Sequence, residues 1–428
     1  MDDTDAETMA KQRMERQPSY RRNSNPEENL EIFEKLLKGD TSVANYCMRA
    51  KIDYESVNGT LRDPVMYRGN DLPHHRTKTK YKAYPTYGFA CPIVDSIEGV
   101  THALRTTEYN DQNVQYEWLQ NAMKLRKVYI QTFGKVNFIN TVLSKRKLNW
   151  FVNENLVEGW FDPRFPTIQG CIRRGVMVEA LRAFIIYQGA SKHNINMEWD
   201  KFWSDNKKIL EEKSARYMGI VKASSVPFIV SNYTTPGITQ IIDTQIHPQK
   251  PEMGTRILRR SQQLLIERDD VGLFKVGDEV TLLRWGNFKI ESININNDTN
   301  TVTSVTGSYL PDAKNFSKTK KLSWLADVDE NIEAELVEFD HLITKKTLGD
   351  EDDFKDYVNP VTKASQIAKV DACCRLLKAG DVIQLERRGF YRVDAAYGGD
   401  NSKPLQLFNV PDGKTRAMST LSSALAHR

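Results

Sequence analysis

Long apolar runs are missing from this chain. No stretch approaches the roughly 20 residues a bilayer-spanning helix needs, so nothing in it reads as a membrane span. Cysteine is scarce and poorly spaced for zinc: Cys47, Cys91, Cys171, Cys373 and Cys374 form no Cys-x-x-Cys pair, and the adjacent last two do not easily bridge each other. A reducing compartment without structural zinc is the simplest reading. The start, Met1-Asp2-Asp3-Thr4-Asp5, has neither the cationic lead of a secretory signal nor the arginines of a transit peptide, which points to the cytoplasm. A dominant charge is lacking as well. Lys plus Arg number 60 against 56 Asp plus Glu, a net of +4, so an anionic partner must be met by local patches.

What is present is globular and too long for one core: 428 residues predict two to four domains. Asn25-Pro26-Glu27-Glu28 opens a helix carrying Ile32, Leu36 and Leu37. From Tyr46 to Arg76 short strand-like pieces follow, Tyr46–Ala50 and Asp63–Arg68, broken by Asn58-Gly59 and Gly69-Asn70-Asp71 turns. His74 and His75 do not predict a metal site, because adjacent residues of an extended segment point to opposite sides and no further ligand sits nearby.

The chain is organised around Val142-Leu143-Ser144-Lys145-Arg146-Lys147-Leu148, three cations after an apolar, β-branched lead-in. The lead-in predicts a buried strand ending at Leu143 and an exposed basic loop suited to a polyphosphate; alone, such a run is an ordinary solvated loop. Upstream stands Glu98-Gly99-Val100-Thr101-His102-Ala103-Leu104-Arg105, and downstream Gly159-Trp160-Phe161-Asp162-Pro163-Arg164-Phe165-Pro166-Thr167. In this order and spacing the three motifs resemble the second half of the catalytic domain of class I glutamyl-tRNA synthetases of the archaeal and eukaryotic type. The resemblance covers nearly the whole chain, and the motif set is specific to the glutamyl and glutaminyl pair.

The resemblance implies a role for each motif. Leu143-Ser144-Lys145-Arg146 answers to the end of the Lys-Met-Ser-Lys-Ser signature, which makes Leu143, Ser144, Lys145 and Arg146 an ATP-binding set, with Lys145 stabilising the leaving pyrophosphate and Ser144 beside it. Tyr87 lines the amino-acid pocket, and Gly88, read as a strand end, stands where the family typically has aspartate. Arg105 takes the place of the arginine that grips the glutamate side chain, as a guanidinium fork suits a carboxylate. On spacing alone, a surface pair of Arg105 with Glu98 or Glu108 on a helix is the favoured reading, and it is the surrounding motif that reverses the balance. His102, three residues earlier, shares its face on that helical reading and takes a pocket or ATP-side role. The family's His-Ile-Gly-His type signature and the first half of its nucleotide-binding fold have no counterpart in these 428 residues, so the resemblance leaves catalysis by this chain alone incomplete.

Residues 111–133 predict an amphipathic crossover helix returning to the strand before the basic loop, and Gln169–Gln188 with Met197–Leu210 a small helical bundle. From about Met218 the texture is β, with alternating runs such as Phe228–Val230, Asn300–Val305 and Asp381–Arg387 that fit paired barrels. Arg173, Arg174, Arg256, Arg259 and Lys320 are the candidate tRNA contacts. Trp285, Phe316 and Trp324 either stack on unpaired bases or fill the barrel core. The expected architecture is multidomain α/β plus all-β: the end of an acceptor-binding insertion (1–80), the second half of a class I Rossmann domain (81–165), a helical connector (166–217) and two anticodon-binding β-barrels (218–428). The expected activity is ATP-dependent, Mg2+-assisted joining of L-glutamate to tRNA(Glu), with other synthetases or assembly factors as further partners. The rivals are a glutaminyl enzyme, disfavoured by Arg105, and a non-catalytic tRNA-binding relative, favoured by Gly88.

Overall fold

In a computed structural model, which describes residues 1–413, the chain forms two compact units: Met1–Val136 with Ala190–Ile195, and Asn137–Gly189 with the chain from Asn196 onward. The last residues of the expected second barrel, 414–428, lie outside the described part. Among the described residues no helix is long and apolar enough to cross a membrane.

The first unit opens with helices. Asn25 caps Pro26–Lys38 by accepting from the Glu27 N–H, proline sits where its missing N–H costs nothing, and Gly39 ends the helix in the left-handed region. Leu36 turns inward onto an antiparallel sheet ordered Cys47–Arg49, Val65–Gly69, Ala83–Pro85, packing with Val43 and Ala83. In the turn after that sheet's middle strand, the His74 and His75 rings lie 4.3 Å apart rather than on opposite sides, because the chain there is bent and not extended. Beyond the sheet come helix Tyr87–Ile97, strand His102–Thr106, helix Asn110–Ala122 and strand Tyr129–Phe133. The two strands run parallel, with Arg105 opposite Thr132, and the helix between them makes the crossover that parallel pairing requires. This is the βαβ piece of the expected doubly wound half.

Within the second unit the strand expected to end at Leu143 stops at Phe138. Asn140, in the left-handed region, donates its N–H to the Lys346 carbonyl and its amide to the carbonyls of Ile343 and Thr344, which draws the chain out of any ladder. Helices Ile168–Arg173, Val178–Gln188 and Trp199–Lys213 form the expected bundle, joined to the barrel region through Val176, Phe202, Trp203, Phe390 and Val410.

Two seven-stranded, barrel-like sheets follow, and the chain interleaves them. It lays down Ala215–Tyr217 and Gly219–Val221 as the two edges of one sheet. It then builds the whole of the other between Ser225 and Ala326, and returns to complete the first with Ile332–Phe339 to Leu405–Val410. Alternation specifies the inward faces: Val226, Phe228 and Val230 point into one core, Ile332, Ala334 and Leu336 into the other. Each sheet contains the same hairpin. Lys275-Val276-Gly277-Asp278 and Lys378-Ala379-Gly380-Asp381 place glycine at positive φ, close an N–H to carbonyl bond of 2.8 Å from that glycine to Ile290 or Val393, and cap the turn with the aspartate. Further on, Arg284 and Arg387 both adopt φ 66 at the hairpin tip. The sheets are tied together by Arg284–Glu386 at 2.7 Å, Arg387–Asp270, Arg388–Glu267 and the buried Arg256–Asp371 pair at 3.0 Å.

Candidate active site

Helix Tyr87–Ile97 carries Tyr87, Cys91 and Asp95 at four-residue steps, so all three face the same way. The Cys91 thiol lies 3.6 Å from the Tyr87 hydroxyl and 3.4 Å from an Asp95 carboxylate oxygen. Across from it, the Tyr116 hydroxyl donates to Asp95 at 2.8 Å. Burial, then the bond to Asp95, raises the Tyr116 phenol. The Cys91 thiol is raised chiefly by burial, so it is a poor nucleophile and serves this face as a hydrogen-bonding group beside the Asp95 carboxylate.

Arg105 completes this face, in a different setting from either sequence reading. It lies on a strand, not a helix, so no i,i+3 pair with Glu108 forms; its side chain is buried at 7% exposure. Its guanidinium sits 4.6 Å from the Tyr109 ring and 5.4 Å from the Tyr116 ring, and Nη1 donates to Asn113 Oδ1 at 3.0 Å. Nε is buried with no hydrogen-bond partner. Among the described residues no carboxylate forms a salt bridge with it. On a strand, residues three apart face opposite ways, so His102 does not share the face of Arg105; it is exposed, stacked against Tyr129 and bonded to the Thr101 hydroxyl. Tyr87 is exposed, with its ring 5.9 Å from that of Tyr109. Gly88 lies in the first turn of a helix rather than at a strand end, and a Cβ there would meet Gln115 at an ordinary 3.5 Å. Tyr109, Asn113 and Tyr116 were not singled out as site residues from sequence; the Asn113–Tyr116 spacing on one helix face is the signal they offered.

The basic motif, in the second unit, is a helix N-terminus and not a loop. Ser144 occupies the N-cap position without a side-chain cap bond, and Lys145, Arg146 and Lys147 form the first turn of helix Lys145–Asn153. Leu148 and Phe151 recur on the face opposite the cations, and both are buried against Leu342, Ile343 and Phe354 from the segment between two strands of the second barrel. Trp150 packs edge-on to Phe354 at 5.2 Å, and Lys147 lies over the same ring at 5.5 Å. Cations in a first turn oppose the helix dipole, whereas an anion there is favoured by both the side chains and the free N–H groups. Leu143, Ser144, Lys145 and Arg146 are exposed.

The downstream motif is architectural. Asp162, fully buried, accepts from the Glu158 and Arg164 N–H groups and from the Arg164 guanidinium at 2.7–2.9 Å. Burial pushes its carboxyl up, yet these bonds hold it below the usual range. Thr167 then caps the next helix, and Gly170 has no room for a Cβ, which would lie 2.4 Å from the Phe165 carbonyl oxygen.

The five basic candidates for RNA contact separate. Arg173 is held by Asp394 and Glu158 at 2.6 Å each, while Arg174 and Arg256 are buried. Arg259 is half-buried and Lys320 exposed. Trp324 belongs to the barrel core, donating to the Leu283 carbonyl; Trp285 packs against that core, and Phe316 is exposed.

Comparison with known proteins places three adjoining matches along the chain. The catalytic domain described as tRNA synthetases class I (E and Q) matches residues 1–212, and two anti-codon binding domains of the same description match 214–310 and 321–394. A probable cytoplasmic glutamate-tRNA ligase of Schizosaccharomyces pombe is 46% identical over 97% of this chain and 57% of its own length. The cytoplasmic glutamate-tRNA ligase of Saccharomyces cerevisiae is 44% identical with the same coverage. The bifunctional glutamate/proline-tRNA ligase of Mus musculus is 44% identical over 99% of this chain and 28% of its own length. The chain thus spans between a quarter and three-fifths of the length of these relatives.

Proposed function

This chain belongs to the class I tRNA synthetases for glutamate and glutamine, and from that membership we propose that it is the glutamate-selecting, tRNA-holding part of a cytoplasmic glutamate-tRNA ligase. The observation that carries the choice of amino acid is Arg105, a buried cation with an unsatisfied Nε and no protein carboxylate bonded to it among the described residues. A buried charge without its counter-ion is costly, and the side-chain carboxylate of glutamate supplies one. Neutral glutamine does not, which disfavours the glutaminyl alternative. Tyr87, exposed beside Tyr109, lines the same pocket, and His102 serves on the ATP side.

In this reading the triphosphate of ATP meets the free N–H groups and side chains at the start of helix Lys145–Asn153, with Leu143, Ser144 and Arg146 in contact with the nucleotide. Mg2+ travels on the phosphates, and the chain contributes cations to this part of the site. In the complete enzyme the α-carboxylate of glutamate attacks the α-phosphorus and the bond to the β-phosphate oxygen breaks; the part assigned to the second unit is neutralisation of the departing pyrophosphate by Lys145. A carboxylate is already a nucleophile, so positioning and charge stabilisation suffice without a general base. The activated glutamate then passes to the terminal adenosine of tRNA(Glu), which the barrels hold through Arg259, Lys320 and their neighbours, with Arg173, Arg174 and Arg256 bracing that surface. Partnership with other synthetases is supported by the similarity to a fused glutamate/proline ligase.

Calorimetric titration with L-glutamate and L-glutamine tests the pocket directly. Glutamate should bind at least 10-fold more tightly than glutamine, and Arg105→Ala should erase the difference. Equal binding of the two by the unaltered protein contradicts the assignment.

A further inference from the structure

Away from the residues assigned to glutamate and ATP, the second unit encloses a cavity of about 50 Å³ where the start of the helical bundle, strand Ile332–Phe339 and the segment Asn140–Val142 meet. Such a space holds a few waters or an acid of a few heavy atoms. Arg174 lines it at 4% exposure; one nitrogen, Nη2, donates to the Phe339 carbonyl at 2.8 Å, while Nε and Nη1 are buried without a hydrogen-bond partner. Trp203 lines it too, with its indole N–H buried and unpartnered. The walls between these donors are flat and apolar: Trp199, Trp203, Phe165 and Phe339.

We propose that this cavity is a binding site for a small carboxylate anion, seated on Arg174 and the Trp203 indole N–H with its carbon chain against the aromatic walls. Every unsatisfied group named is a donor, so the ligand must be an acceptor. The neighbouring Arg164 is already matched by Asp162 at 2.7 Å; Asp340, buried in the same wall, and Glu338 add negative charge near Arg174, yet its Nε and Nη1 still have no hydrogen-bond acceptor. Burial also lowers the pKa of Arg174, to about 10, the direction expected of a cation short of solvation. An apolar wall on a ligand of this size favours a short aliphatic acid over a bare inorganic anion. The site has a natural consequence, since Asn140 to Val142 form part of its wall and lead directly into Ser144 and Lys145. Occupancy therefore braces the segment that presents the basic helix.

The test uses the full chain in chloride buffer at constant ionic strength, titrated with propionate, with its neutral isostere propionamide, and with sodium chloride. Melting temperature and tryptophan fluorescence should change saturably with propionate alone, and tryptic cleavage after Lys145 and Arg146 should slow in parallel. Trp203→Phe keeps the ring and removes the N–H, and should weaken propionate about 10-fold; Arg174→Gln should abolish its effect. If Arg174→Gln fails to fold, the Trp203→Phe comparison decides by itself. A response shared by propionamide, an undiminished affinity in Trp203→Phe, or a crystal structure grown with propionate that shows only ordered water on Arg174 would each overturn the proposal.

Discussion

Burial leaves a guanidinium charged but can strip the proton from an imidazole, and the second unit shows both outcomes side by side. Arg164 keeps a carboxylate partner, whereas His341, packed near Arg174, gives up its proton: burial first, then that positive neighbour, lowers it from 6.5 to about 4. Between those values the unfolded chain binds a proton that the folded chain refuses, so stability falls as pH drops from 6.5 towards 4. Above 6.5 neither state is protonated and the effect vanishes, and below 4 both are and the loss is complete. The loss should total about 2 kcal/mol, allowing for partial exposure of the ring. His341→Asn should flatten this window in urea titrations run across it; an unchanged slope shows that another group is responsible. None of this was legible in the sequence, because burial of a lone histidine depends on packing between distant segments. The glutamate-gripping role proposed for Arg105 was suggested in the sequence only by its motif. Its spacing equally allowed a helix, and it was the strand, reversing the face of His102, that decided the geometry.

At the level of elements, the basic helix is short, nine residues, and by propensity alone would be marginal. Its order comes from Leu148 and Phe151, and from the distant segment bearing Leu342, Ile343 and Phe354. Phe354→Ala should cost about 3 kcal/mol by opening a cavity beneath Trp150 and Phe151. Amide exchange in Lys145–Asn153 should speed up with it, far more than in strands of the other barrel. Uniform acceleration throughout the second unit would mean that the ring serves general stability instead. The apolar spacing of this stretch is visible in the sequence, but Val136, Phe138, Ile139, Val142 and Leu143 carry strand-forming side chains and so predict a strand followed by a loop. What it did not display were the Asn140 bonds to residues 343–346 that end the strand early. The bundle, most β runs and the start of the crossover helix were readable because their periodicity persists over several turns or residues, as with Tyr116 and Leu119 facing inward; the helix expected over 111–133 nevertheless ends at Ala122, and Tyr129–Phe133, not the stretch before the basic motif, is the strand to which it returns.

Across the whole chain, the repeated Lys-x-Gly-Asp hairpin in two interleaved sheets is carried by shared residues, Lys275 and Lys378, Gly277 and Gly380, Asp278 and Asp381, Leu282 and Leu385, Arg284 and Arg387, Gly286 and Gly389, that are diluted among differing neighbours and set about a hundred positions apart, so it stands out only once the two sheets are seen. Exposed cations on these sheets should make tRNA binding depend on salt. With roughly 5 phosphate contacts, the logarithm of affinity should fall against the logarithm of salt with a slope of about −4, and a flat response, or equal affinity for heparin, would indicate a merely basic surface. The central claim, that this chain selects glutamate through Arg105, is tested most directly by ATP-pyrophosphate exchange in a protein that supplies the family's ATP-signature half ahead of Met1. Arg105→Cys should lower efficiency with glutamate by roughly 10- to 200-fold, the equivalent of about 1.5 to 3 kcal/mol, and affect glutamine much less, so that the preference narrows. An unchanged glutamate-to-glutamine ratio would contradict it.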